Sequence, residues 1–156
     1  MKILLTSIFL VCLFSCVSKE HDTSATALAA DVNEPAAAAA KEFKGALIGG
    51  FKGDSIFFTV SADGKKLENL TFKGYWRCSG KLEQLAAVGP EGSFPIVNGK
   101  AKGHIADPPD GGATAWRFDI DVTLDGNSAT GTFRMNINNL GCDTYLLKFE
   151  AKAVGL

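Results

Sequence analysis

The segment Gly103–Gly112, "GHIADPPDGG", gathers the side chains best suited to chemistry. His104 stands there with Asp107 and Asp110 close behind it. An imidazole titrates near neutral pH, and a carboxylate can orient it as a general base. Nucleophilic catalysis also needs an activated Ser or Cys, and the chain carries no nucleophile-elbow motif. The segment is expected to be a polar loop. A second constellation is Asp119 with Asp121, which share one face of an alternating run. Same-face neighbours on a strand lie about 7 Å apart, a spacing at which two carboxylates can hydrolyse a glycoside. An ordinary solvated acidic face looks the same in sequence. Asp107, Asp110, Asp125 and Asn127 offer hard oxygen atoms for calcium. EF-hand spacing is absent, and turn chemistry accounts for each of them. Asp107 and Asp110 stay as weak calcium candidates, and no cofactor is expected.

Charge excludes one large class of function. The chain has 16 basic and 17 acidic residues with no basic block, so nucleic-acid binding has no electrostatic footprint. Binding to a protein or carbohydrate fits better. "YWRC" puts Trp76 and Cys78 on one side of a strand and Tyr75 and Arg77 on the other. Trp76 is expected in the core against a disulfide. Tyr75 and Arg77 are then exposed, and their residue types are favoured at binding hot spots. Phe57 falls on the outer face of its run, where it either joins a patch or is covered.

The elements that position these residues read as strands. In "SIFFTV", Ile56, Phe58 and Val60 share a side. In "AWRFDIDVTL", Trp116, Phe118, Ile120, Val122 and Leu124 alternate with polar residues. Phe133, Met135 and Ile137 do the same in the next run, and Tyr145, Leu147 and Phe149 in the last. A period of two is the pattern of a half-buried strand. Asp63-Gly64, Asn98-Gly99 and Asp125-Gly126-Asn127 mark turns between runs. The expected fold is all-β, a single antiparallel β-sandwich or small β-barrel over residues 43–156. Residues 79–89 are left open between a short helix, a loop and an edge strand.

The chain start explains where such a domain would live. Ile3–Phe14 is an apolar run of signal-peptide length, too short to span a bilayer as a helix. It ends Leu13-Phe14-Ser15-Cys16, which resembles the lipobox of bacterial lipoproteins, with Phe14 larger than the usual residue there. The resemblance implies a cleaved signal peptide over residues 1–15 and a covalent lipid on Cys16. Multiple acyl chains would make the anchoring stable. Residues 16–42, rich in Ala and interrupted by Pro35, read as a flexible tether, and His21 within it as solvated. Val17 is not Asp, so in a Gram-negative cell the outer membrane is the expected destination. "SKEHD" weakly resembles surface-export addresses, so the domain is expected to face either the periplasm or the cell exterior.

On this reading Cys12 leaves with the signal and Cys16 takes the lipid. Cys78 and Cys142 remain in a compartment that permits disulfides, and they are expected to pair. The alternatives are a metal site, which usually needs three or four ligands, and a reactive thiol, which needs a histidine partner; His104 is the one histidine of the domain available to either, and a structural bridge is the favoured reading. The strings "FTVSADGKKLENLTF", "PIVNGKAKG", "SATGTFR" and "CDTYLLKFEA" also resemble a small β-domain of secreted bacterial proteins. That resemblance covers Phe43 to the C-terminus and implies the fold and the disulfide, with no activity attached. The expected function is a lipid-anchored cell-envelope protein whose β-domain is a non-enzymatic binding or structural module. One alternative is a lysozyme-inhibitor-like lipoprotein, similar in size, anchoring and cysteine use but without a recognisable inhibitory loop. The other is a carbohydrate-active enzyme using Asp119, Asp121 or the His104 loop.

Overall fold

The computed structural model describes residues 39–155. The expected signal peptide, the expected lipid-attachment residue Cys16 and nearly all of the expected tether lie outside the described residues. Ten strands follow in order: β1 (Lys41–Ile48), β2 (Ser55–Val60), β3 (Lys66–Cys78), β4 (Lys81–Val88) and β5 (Ser93–Val97), then β6 (Lys100–Asp107), β7 (Trp116–Asp125), β8 (Ser128–Ile137), β9 (Cys142–Asp143) and β10 (Leu147–Ala153). β1 starts two residues before the expected domain boundary. Every pairing is antiparallel.

The pairings run β1-β2-β3-β5-β6-β7-β8-β10 and return from β10 to β1. Eight strands therefore close on themselves, and of the two expected architectures the barrel is the one formed. The remaining two strands dress one end. β4 pairs the far half of β3, and β9 bridges the ends of β3 and β8.

Alternation fills the interior. Phe43, Phe58, Phe72, Phe94, Phe118, Phe133 and Phe149 are each 2% exposed or less. Phe43 stacks on Phe58 at 5.1 Å and Phe72 on Phe133 at 5.4 Å. An eight-stranded barrel is just wide enough for side chains to fill it, and these rings do so. Each buried phenylalanine contributes about 1.5–3 kcal/mol. A Cβ at Gly131 would collide with the Asp121 carbonyl and crowd the Phe149 ring, so glycine lets β7 and β8 close around the rings.

The strand expectations hold for β2, β7 and β8. Ile56, Phe58, Phe118, Ile120, Val122, Phe133, Met135 and Ile137 are buried. Trp76 is buried too, stacked on Trp116 at 5.1 Å and 4°. Asn98-Gly99 has positive φ at both residues (51° and 71°), the type I′ form that suits a two-residue hairpin. Gly126 opens the β7–β8 turn at φ 57°.

Within residues 79–89 the strand β4 (Lys81–Val88) forms, entered through Ser79-Gly80 at φ 48° and 78°. Leu82 and Leu85 then fall on opposite faces, exposed and half-buried. The last strand begins three residues later than its alternation implies. Tyr145, expected inward with Leu147 and Phe149, is 60% exposed at φ 57°. The Asp143 carboxylate accepts its backbone N–H at 2.7 Å and holds this turn. Cys78 and Cys142 sit opposite each other at the ends of β3 and β9 and are joined by a disulfide.

Candidate binding site

One stretch of the barrel wall is open. β2 pairs β3 as far as Lys73, and β9 takes up the same edge only at Arg77. Between them, Gly74–Trp76 have no strand partner on that side. The Asp54 side chain fills part of the break. Its Oδ1 accepts the Tyr75 N–H at 3.3 Å, and its Oδ2 accepts the Phe51 N–H at 2.7 Å. Asp54 is 4% exposed, and a Cβ at Gly74 would strike its carboxylate. A buried carboxylate thus substitutes for strand pairing and shapes the loop between β1 and β2.

The break is the base of a cleft of about 300 Å³. Its floor includes the buried residues Asp54, Trp76, Thr144 and Leu147. Thr144 is fixed there, since its hydroxyl accepts the Met135 N–H at 2.9 Å. The rim is apolar and exposed: Phe51, Leu82, Tyr145 and Leu146. Eight large apolar side chains are exposed among the described residues, and these four are half of them. Exposed apolar residues scattered singly need no explanation, but a cluster marks an interaction site.

Tyr75 and Arg77, the two residues expected to be exposed for binding, both line this cleft, but only Arg77 is exposed; Tyr75 is half-buried, its ring lying against Phe51. The Tyr75 ring meets Phe51 at 5.2 Å in a tilted arrangement. Arg77 is exposed and makes no hydrogen bond or ion pair among the described residues. The two carboxylates of the lining are already engaged. Asp54 holds two backbone N–H groups, and Asp143 accepts from Arg134 Nε at 3.0 Å and from Arg134 Nη2. That hydrogen-bonded carboxylate raises the Arg134 pKa further above its ordinary value. The Arg77 guanidinium is the unpaired cation of the cleft.

The other candidates fall elsewhere. His104 Nδ1 lies 2.8 Å from Asp119 Oδ1 on the outer wall, and Lys102 Nζ lies 2.9 Å from Asp121. The two aspartates proposed for glycoside hydrolysis are therefore each engaged with a basic side chain. All four side chains are at least 45% exposed, a setting in which such pairs contribute about 0–1 kcal/mol. The expected polar loop over 103–112 forms only from 108 onward: Gly103–Asp107 belong to β6, with Asp107 ending it opposite Trp116, and Asp110 lies exposed in the following loop. Among the described residues no three His, Cys, Asp or Glu side chains stand close enough to hold a metal ion, so Asp107 and Asp110 have no third ligand of that kind. Phe57 is half-buried on the outer wall, with Lys44 Nζ 5.5 Å from its ring centre.

Sequence reasoning missed Phe51, Asp54, Tyr145 and Leu146. "GGFKGDS" did carry a loop signal in its glycines, with an Asp placed to cap backbone N–H groups. Tyr145 was hidden by its agreement with the strand period. Fold and site together define a class: a small closed antiparallel barrel, packed solid inside, with an open, apolar-rimmed cleft in its wall. Comparison of the chain with family models, curated proteins and solved structures gives no match.

Proposed function

We propose that the chain is a lipid-anchored protein of the cell envelope whose barrel is a binding module. The observation that carries the binding part is the wall cleft. It gathers tyrosines and an arginine with no partner among the described residues, the residue types enriched at binding hot spots, inside a cluster of exposed apolar side chains. The filled interior supports the same reading, because it leaves recognition to the wall. The anchoring part rests on the lipobox-like Leu13–Cys16 and its apolar leader. An outer-membrane location follows from Val17 on the same reasoning, with the barrel facing the periplasm or the exterior.

Growth with an alkyne-tagged palmitate tests the anchor. The chain is expected to take up label and to fractionate with membranes, and Cys16→Ser to lose both. An unlabelled wild-type chain in the soluble fraction would reject the anchor. Protease treatment of intact cells then assigns the side, since digestion before lysis places the barrel outside. A hydrolytic activity abolished by His104→Ala or Asp119→Asn would overturn the non-enzymatic reading.

A further inference from the structure

The cleft has the chemistry of a receptor for one kind of ligand. We infer that it takes a small monocarboxylate carried on a flat apolar body, such as an N-aroyl amino acid. This rests on the binding-module reading above and names the ligand class for that site.

The argument starts from donors and acceptors. Asp54 spends its carboxylate oxygens on the Phe51 and Tyr75 N–H groups. Asp143 spends its own on Arg134 and the Tyr145 N–H. Arg77 presents a guanidinium with no partner among the described residues. The group that completes the cleft is therefore an acceptor, and a guanidinium fork matches an anionic oxygen pair in two parallel hydrogen bonds. A single negative charge suits it best. Asp143 is paired with Arg134, but the Asp54 carboxylate has no cationic partner among the described residues and opposes a dianionic phosphate more than a monoanion.

The remaining lining selects the body of the ligand. Phe51, Tyr75 and Tyr145 offer ring faces and edges, and Leu82 and Leu146 offer aliphatic cover. Offset or edge-to-face contacts with a flat group are the favoured arrangement for such rings. At about 300 Å³ the cleft sits at the lower end of small-molecule sites, which run from ~300 to ~1,000 Å³, so the ligand is small. The cleft also opens beside the loop after Ile48, at the opposite end of β1 from Lys41, where the chain enters the barrel.

The probe is N-benzoylglycine, titrated against the full chain purified from whichever cell fraction holds it. Trp76 lines the cleft and stacks on Trp116, and these are the two tryptophans of the chain, so indole fluorescence reports occupancy. A saturable change is expected with a Kd on the order of 1 mM, the strength of one charge-assisted anchor with a stacked ring. N-Benzoylglycinamide, which lacks the charge, is expected to bind at least about tenfold more weakly, and phenyl phosphate more weakly than the carboxylate. Arg77→Gln should weaken N-benzoylglycine about tenfold, and Tyr145→Ala about threefold. Val97→Ala, at the far end of the barrel, should leave the titration unchanged. No saturable change up to roughly 20 mM would overturn the proposal, as would an amide that binds as well as the acid. Full binding by Arg77→Gln, or tighter binding of phenyl phosphate, would also overturn it. If the titration fails while palmitate still labels Cys16, the ligand class falls and the anchored module stands.

Discussion

The two ends of the barrel are built differently. At one end the strands turn tightly. Asn98-Gly99 and Gly126-Asn127 are two-residue hairpins, and Ser61–Lys65 is a short loop stitched by its own side chains. The chain enters β1 at that end, where Lys41 Nζ donates to Asn127 at 2.9 Å. At the other end Ser79-Gly80 is also a tight hairpin, but three connections are longer: 49–54, 108–115 and 138–146, the last of which contains β9 and one cysteine of the disulfide. That end carries the cleft and six of the eight exposed large apolar side chains among the described residues, four of them on the cleft rim. One end follows from backbone rules alone. The other departs from them, and loops held by a rigid scaffold are where binding residues concentrate.

The largest expected effect tests whether stability resides in the filled interior rather than in the cleft. Phe133→Ala removes a ring fully enclosed by the barrel and should cost ~3–5 kcal/mol in a chemical-denaturation series. Phe51→Ala, half exposed on the rim, should cost under ~1 kcal/mol. Equal losses would break the contrast between core and rim. Next comes the disulfide that ties the cleft end. It spans a sequence separation of 64, for which the chain-entropy model gives ~4 kcal/mol. Cys78→Ser with Cys142→Ser should lose ~2–4 kcal/mol. Hydrogen exchange should rise at β9 and the 144–146 turn before it rises at the hairpin end. Uniform loosening would show that the two ends are not separable.

Legibility followed the same division. Strands β2, β7 and β8 could be read because one face of each is buried and the other is solvated, which writes a period of two into the residues. The hairpins could be read because Asn-Gly and Gly-Asn meet a positive-φ requirement that few other residues meet. Tyr75 and Arg77 could be placed outward because Trp76 and Cys78 had to point inward. Tyr145 could not be placed. Its residue type and position fit a strand, and what turns it outward is a hydrogen bond to Asp143, a contact that periodicity does not encode. Barrel closure was equally hidden, since it depends on β10 pairing both β1 and β8. Asp119 and Asp121 looked like a bare acidic pair because their partners Lys102 and His104 come from the adjacent strand.

A matched pair of aspartates sharpens the comparison further. Asp54 shapes the cleft loop and Asp63 shapes the loop at the tight end, and each accepts backbone N–H groups. Asp54 is buried, so Asp54→Ala leaves the Phe51 and Tyr75 N–H groups without that acceptor at the base of the cleft. That should cost ~1–3 kcal/mol and disorder the cleft rim. Wild-type stability in this variant would mean that water replaces the carboxylate and that the wall break is wetter than its burial indicates.

Asp63 is fully exposed, and its effect should appear in pH dependence rather than in size. The Ser61 hydroxyl donates to Oδ1 at 2.6 Å and the Lys65 N–H donates to the same oxygen at 3.0 Å. These two bonds, the hydroxyl first, hold the folded-state pKa below the ordinary value of 3.8. A carboxyl whose pKa is depressed on folding supplies its stability above the unfolded value and loses it as pH falls through the folded one. Wild type should therefore exceed Asp63→Asn by a small margin at neutral pH. The two should converge as the pH drops below about 4. Thermal melts across that window read the difference directly. A gap that persists at low pH would show that the Ser61–Lys65 turn depends on the geometry of the Asp63 side chain and not on its charge.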